Sequence, residues 1–158
     1  MAGSIKEFLR RDLVVNDLEA RSAEEVFGKI SPILLEGGFV EKSFFNGLVD
    51  RESKFPTGLL LGKYNVAIPH TDAIHVKKPA IAIATLKSPV EFNSMDGNGS
   101  VNVNIVFTMA LNEPHSQILM LQQLMFLIQN ESVLKNMIQA KDSDEIYDIV
   151  SSFNYESE

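Results

Sequence analysis

Two of the chain's three histidines lie in one short stretch, NVAIPHTDAIHVKKPAIAI, which spans residues 65–83. His70 follows Pro69 at the end of a short apolar run, and a proline favours an extended conformation in the residue before it. Ligand sites in α/β sheets lie beyond strand ends, and a neutral imidazole offers a nucleophilic nitrogen near neutral pH. The position therefore predicts a chemical role for His70. The alternative is a structural histidine that ties down a turn.

Two further side chains could bind an anion beside His70. Arg51, in DRESKFPTG, presents a planar fork of donors that suits phosphate. The alternative for Arg51 is a surface ion pair with Asp50 or Glu52. His115, in LNEPHSQ, is predicted in the first turn of a helix, where free backbone N–H groups and the helix dipole attract anions. The alternative for His115 is an exposed polar residue without a ligand.

Smaller groups around these three residues complete the set of candidates. Thr57 and Gly58 could offer a hydroxyl and a close backbone approach, or could simply form a turn. Asp72 could orient an imidazole or cap a turn. His75 is followed by two lysines and is predicted to lie on a solvent-exposed turn.

Helical patterns flank the central part of the chain, and the sequence predicts that two helices open the domain. Ser22 and Glu25 form a capping-box pattern before a run of apolar residues at helical spacing. Gly37 and Gly38 mark the end of this helix, and a second helix is predicted from about Glu41. Towards the C-terminus, three more helices are predicted, with Pro114 in the first turn of one and caps at Asn130 and Ser143.

The middle of the chain has strand patterns at residues 66–68, 80–86 and 101–111, a possible short strand at 90–92 and a turn around 96–99. The segment AIAIATL is apolar on both faces, which indicates a strand covered by helices on either side. The order of helices, strands and helices predicts an α/β fold: a single domain with a mixed parallel and antiparallel β-sheet of about five strands and helices on both faces.

Composition excludes several classes of function. The chain has 158 residues, no cysteine and a formal net charge of −7. Disulfides, thiol catalysis and thiolate metal sites are therefore absent, and the negative charge argues against DNA or RNA as the main partner. The first residues lack the apolar segment of a secretory signal, and no apolar run has the roughly 20 residues that span a bilayer. We therefore expect a cytoplasmic protein.

The segment RESKFPTGLLLGKYNVAIPHTDAIH resembles the active region of enzyme IIA of the bacterial phosphotransferase system, in the fructose/mannitol superfamily and most closely its galactitol-type branch. The resemblance extends over nearly the whole chain and implies a single type 2 IIA domain over residues 1–158. It implies that His70 is the phosphoacceptor, through Nε2, and that Arg51 lies by the phosphoryl group. His115 matches a second histidine in a family motif that here reads NEPH. Thr57 and Asp72 are expected to support phosphate binding.

The resemblance also implies the partners. The donor is expected to be the phosphohistidine carrier protein, which presents basic residues, and the acceptor a cysteine on the cognate enzyme IIB. The function implied is phosphoryl transfer during uptake of a galactitol-like polyol or sugar. Contact with the membrane is expected only indirectly, through the IIC transporter. No metal or other cofactor is expected, and the chain has no GxxxxGK[ST] motif for a nucleotide.

Two other functions remain open at this point. One is a nitrogen-type regulatory IIA paralogue that is phosphorylated on His70 and controls partner proteins. The other is a metal-dependent hydrolase with His70, Asp72, His75 and His115 as ligands, because three histidines and an aspartate can hold zinc.

Overall fold

The computed structural model describes residues 5–155, apart from the side chains of residues 115 and 116. The strands are β1 (Val14–Leu18), β2 (Gly58–Leu59), β3 (Val66–Ala67), β4 (Ala80–Asn93) and β5 (Ser100–Ala110). The helices are α1 (Ala23–Glu36), α2 (Phe44–Lys54), α3 (Pro114–Ile128), α4 (Glu131–Ile138) and α5 (Ser143–Ser152). Short 3-10 helices lie at Ile5–Phe8, Arg11–Leu13 and Ala73–His75.

The five strands form one sheet in the order β1-β4-β5-β3-β2. Strand β1 runs parallel to β4, and β3 runs parallel to β5. The β4–β5 and β2–β3 pairs are antiparallel. The predicted mixed sheet of about five strands is therefore confirmed.

Helices cover both faces of the sheet, and the alternation along β4 shows why. Ile81 and Ile83 belong to a core that also contains apolar residues of α3, α4 and α5. Ala80, Ala82 and Ala84 belong to a second core, with α1 and α2. Successive residues of a strand point to opposite faces, so a segment that is apolar throughout needs cover on both sides. The α/β class and its two covered faces are as predicted.

Helix caps follow the predicted pattern with one exception. The Ser22 hydroxyl accepts a hydrogen bond from the backbone N–H of Glu25 at 3.1 Å, and the Asn130 side chain caps α4 in the same way. The prediction of Ser143 as a cap is wrong, because Asp142 is the N-cap and accepts from the Glu145 N–H at 2.9 Å. Aspartate and serine are both good N-caps, so adjacent candidates are not separated by local preference.

Two strand predictions also need correction. The two predicted helices do not open the domain, because strand β1 precedes them, where Val14 and Val15 pair with Ile83 and Ala84 of β4. Strand β1 is short and holds polar residues, so its conformation depends on this distant partner. Residues 90–92 are not a separate strand but the end of β4, which continues across a register shift between Thr85 and Val90.

Candidate functional site

His70 lies just beyond the end of β3, where the sequence predicts it. The Pro69 carbonyl accepts a hydrogen bond from the Met109 N–H at 3.0 Å, which attaches this segment to β5 in the middle of the sheet. The imidazole is half-buried. The strand end therefore presents the ring at the protein surface on a fixed backbone.

The imidazole of His70 is held in one tautomer. Its Nδ1 lies 3.0 Å from the carbonyl oxygen of Ile68, and a carbonyl oxygen only accepts, so Nδ1 is the protonated nitrogen. Burial lowers the pKa of His70, with a smaller lowering effect from the Arg51 charge, against the raising effects of the Ile68 hydrogen bond and Asp72. The ring is therefore neutral near pH 7, with the lone pair on Nε2.

Arg51, in the last turn of α2, lies close enough to His70 to act on it electrostatically. Its Nη1 donates to Asp72 Oδ1 at 3.3 Å, and its guanidinium lies over the Phe55 ring at 4.8 Å. Its Nε is buried without a hydrogen-bond partner among residues 5–155. The guanidinium as a whole is partly exposed, so its Nη groups, beside a neutral imidazole, can donate to an anion. We call His70, Arg51 and Asp72 the His70 site.

Thr57 does not present its hydroxyl to the His70 site. The side chain is 2% exposed, and its Oγ1 donates to Glu52 Oε1 at 2.9 Å. The role in phosphate binding predicted for Thr57 stays a prediction, and this geometry makes it indirect. Glu52 was missed as a functional candidate, although the Arg-Glu pair before FPTG was a signal that could have indicated it.

His75 is half-buried and not solvent-exposed, which corrects the prediction. Its Nδ1 forms a hydrogen bond of 2.7 Å with Ser43 Oγ, just before α2. Its carbonyl accepts from the Glu41 N–H at 2.9 Å. The segment that follows His70 is thus attached to the start of the helix that contains Arg51.

Gly47 permits this attachment, since a Cβ there would lie 2.8 Å from His75 Cδ2 and 2.9 Å from Thr71 Oγ1. We expect Gly47→Ala to lower the free energy of unfolding by about 1–2 kcal/mol, because the overpacking exceeds the gain in helix propensity. Equilibrium unfolding in urea measures the change.

Gly28→Ala is the matched control, because Gly28 is also helical and its added Cβ would meet nothing closer than Phe45 Cε1 at 3.7 Å. This variant should gain about 0.5–1 kcal/mol from helix propensity alone. A Gly47→Ala protein as stable as Gly28→Ala would contradict the close packing of the His75 segment.

His115 belongs to the first turn of α3, as predicted, with Pro114 as the first helical residue. Its side chain lies outside the described residues. The described residues contain no group of three or more histidine, aspartate or glutamate side chains that could hold a metal ion, so a hydrolytic metal site gains no support. Within residues 5–155, no helix has the length and apolar character needed to cross a membrane.

Known proteins match this chain over most of its length. The galactitol-specific EIIA component of the PTS system from Escherichia coli K12 is 32% identical over 114 residues, which cover 72% of this chain and 76% of the relative. The nitrogen regulatory protein IIA-Ntr from Neisseria meningitidis superposes with a TM-score of 0.69 at 25% identity, covering 92% of this chain and 98% of that one.

Enzyme IIA of the E. coli mannitol system, solved in complex with phosphorylated enzyme IIB, has a TM-score of 0.75 at 20% identity and covers 92% of this chain and 99% of that one. The sequence model of the family described as phosphoenolpyruvate-dependent sugar phosphotransferase system, EIIA 2, matches residues 7–153. The described part of the His70 site lies within that range. This chain therefore belongs to the EIIA 2 family of the sugar phosphotransferase system.

Proposed function

We propose that this protein is a IIA phosphocarrier that accepts a phosphoryl group on Nε2 of His70 from the phosphohistidine carrier protein. It then passes the group to a cysteine of a cognate enzyme IIB during uptake of a galactitol-like polyol or sugar. Proteins of the EIIA 2 family are phosphotransferases with a phosphohistidine intermediate. The proposal treats residues 1–158 as one such domain, in the cytoplasm.

The hydrogen bond between His70 Nδ1 and the Ile68 carbonyl is the observation that supports this function best. It leaves the Nε2 lone pair free for attack on phosphorus. Burial lowers the pKa of His70 and so maintains the neutral, nucleophilic ring. A histidine used only for packing needs neither a selected tautomer nor a second ring nitrogen that lacks a hydrogen-bond partner among the described residues.

The transfer itself exchanges one P–N bond for another. The bond between phosphorus and the donor's imidazole breaks as the bond to His70 Nε2 forms, so no nucleotide is consumed. With Nδ1 still protonated, the phosphorylated ring is positively charged, and the Ile68 carbonyl and Asp72 both favour a positive ring. A cationic imidazole is a good leaving group, which suits onward transfer.

Arg51 supplies charge where it is needed. The transition state of phosphoryl transfer is loose, with negative charge spread over the phosphoryl oxygens. Positioning and electrostatic stabilisation are the main demands on the protein. Arg51, supported by Asp72 and Phe55, has donor capacity for those oxygens. His115, in the first turn of α3, is proposed as a second phosphate ligand.

The acceptor cysteine is proposed to belong to enzyme IIB, because residues 1–158 contain no cysteine. The related mannitol IIA is known in complex with phosphorylated IIB. Phe55, four residues after Arg51, and Ile74, two residues after Asp72, are exposed apolar side chains that suit a protein-binding surface. The net charge of −7 suits a basic carrier as donor. The 32% identical galactitol-specific relative favours galactitol or a similar polyol.

A regulatory function remains the second candidate, because the fold also matches a nitrogen regulatory IIA protein. The same His70 site would serve it. The neighbouring genes distinguish the transport function from the regulatory one, since the gene of a transport component should lie next to IIB and IIC genes.

Phosphorylation of the purified protein tests the proposal. Incubation with phosphoenolpyruvate, enzyme I and the carrier protein should place one acid-labile, alkali-stable phosphoryl group on each chain. Addition of the cognate IIB should then remove it. The matched control omits the carrier protein, and label that forms without it, or a wild-type protein that accepts no label, would contradict the proposed function.

A further inference from the structure

We propose that Glu52 is a positioning residue for His70 and that it acts through Thr57 and the backbone of Ile68. The inference rests on the proposed role of His70 as phosphoacceptor. It assigns a function to a buried carboxylate that the transfer step itself does not use.

Glu52 and Thr57 form a buried clamp. Glu52 is 9% exposed, and its Oε2 accepts from the Thr57 N–H at 2.8 Å while Oε1 accepts from the Thr57 hydroxyl at 2.9 Å. No ion pair of Glu52 occurs among residues 5–155. Both donors of Thr57 are thus satisfied by one acceptor-only group.

Burying a carboxylate without a cation beside it costs desolvation free energy, which a turn alone does not require. Burial raises the pKa of Glu52, and the backbone and side-chain hydrogen bonds from Thr57 oppose that shift. An amide of the same shape would accept from the Thr57 N–H and donate to the Thr57 hydroxyl, so it would replace two charge-assisted hydrogen bonds by two weaker neutral ones. The carboxylate is therefore matched to an arrangement in which both Thr57 groups donate.

The clamp continues by hydrogen bonds to the imidazole. The Thr57 carbonyl accepts from the Ile68 N–H at 3.3 Å. The Ile68 carbonyl in turn accepts from His70 Nδ1 at 3.0 Å. The backbone N–H and C=O of Thr57 and of Ile68 thus link the Glu52 carboxylate to the proton on His70 Nδ1.

Glu52 also couples the two halves of the His70 site. It is adjacent to Arg51 on α2, and consecutive helical residues point about 100° apart. Arg51 can therefore face Asp72 while Glu52 faces the interior and holds Thr57. The position of α2 relative to the end of β3, and so of the arginine relative to the imidazole, is set by this clamp.

Loss of the clamp should change the tautomer of His70 in a protein that remains folded. With the Thr57–Ile68 segment less firmly held, the bond from Nδ1 to the Ile68 carbonyl weakens and the form protonated on Nε2 gains population. That form has no lone pair on the attacking nitrogen. Phosphoryl acceptance then slows, because fewer molecules hold a competent ring.

The test compares Glu52→Gln, Thr57→Val and Thr57→Ser with wild type by two measurements. Ring ¹⁵N chemical shifts report the His70 tautomer in unphosphorylated protein, and rapid-quench kinetics report phosphoryl acceptance from the labelled carrier. We expect Thr57→Val and Glu52→Gln to shift the tautomer towards Nε2–H and to slow acceptance roughly 10–100-fold. Thr57→Ser keeps the hydroxyl that Thr57→Val lacks, so it should show the wild-type tautomer and a rate close to that of wild type.

Thr85→Val is the matched control for the loss of a buried hydroxyl. Thr85 is 0% exposed on β4, accepts from the Asp17 N–H at 2.9 Å and donates to Asn16 at 3.2 Å. This variant should lose stability in urea unfolding but keep the wild-type tautomer and rate.

Wild-type tautomer and rate in either Thr57→Val or Glu52→Gln would overturn the proposal. If Thr57→Val fails to fold, Glu52→Gln, which keeps the shape of the side chain, decides the question alone. The tautomer measurement needs no phosphoryl donor. If the wild-type protein accepts no label but the variants show the expected tautomer shift, the proposed function is refuted. The hydrogen-bonded connection from Glu52 to His70 would then still be supported.

Discussion

Replacing His70 by alanine is expected to abolish the acid-labile phosphoryl label completely. The half-buried His70 ring has its Nδ1 hydrogen-bonded to the Ile68 carbonyl, which leaves the Nε2 lone pair for attack on phosphorus. The loss is measured by labelling with phosphoenolpyruvate, enzyme I and the carrier, followed by acid and alkaline treatment of the product.

The other two histidines provide the controls, because the chain has three in all. His75→Ala should still be labelled to one phosphoryl group per chain, since its ring contacts Ser43 and Gly47. His115→Ala should be labelled more slowly if that side chain helps to bind phosphate. Persistent label in His70→Ala, or its disappearance only in His115→Ala, would place the phosphoacceptor elsewhere.

The pH dependence of the same reaction follows from the direction of the pKa shift. An ordinary histidine has a pKa of about 6.5 and loses its nucleophilic form below that pH. Burial lowers the pKa of His70, so its neutral form persists to lower pH. Single-turnover acceptance by His70, measured with the donor's own pH dependence subtracted, should decline only below the ordinary histidine range. A decline centred above pH 6.5 would contradict this.

Arg51→Ala is expected to slow phosphoryl acceptance roughly 10²–10³-fold, the usual cost of removing a donor aimed at developing charge. It should also raise the pKa of His70, because the Arg51 charge contributes, after burial, to lowering it. Rapid-quench kinetics measure the first effect, and an NMR titration of the imidazole measures the second. The overall stability should change little, since Asp72, the ion-pair partner of Arg51, is 73% exposed and solvent screens the pair.

Two comparisons make this result specific. Arg51→Lys retains the charge but not the planar fork, so it should largely restore the pKa of His70 without restoring the rate. Lys54→Ala removes a cation from the same helix, where Lys54 pairs with Asp50 at 3.3 Å at the surface, and should change neither quantity. An Arg51→Ala protein with the wild-type rate would remove Arg51 from the site.

The sequence by itself was sufficient for the features that depend on local pattern. The Ser22 cap, the glycines after α1 and the alternating alanines and isoleucines of β4 predict elements and faces that the structure confirms. The motif around His70 likewise led to the family that the comparisons show. These signals lie within a few residues of one another, where backbone preference and side-chain period act directly.

Only the tertiary structure decided the features that depend on distant partners. Strand β1 forms because β4 pairs with it, and His75 is half-buried because it meets Ser43 and Gly47 across a loop. The tautomer of His70 and the buried clamp of Glu52 on Thr57 likewise depend on how α2, β2 and β3 come together. Residue types and spacing identified which side chains could do chemistry. The hydrogen bonds that orient them arise only when separate elements pack, because local sequence does not determine those contacts.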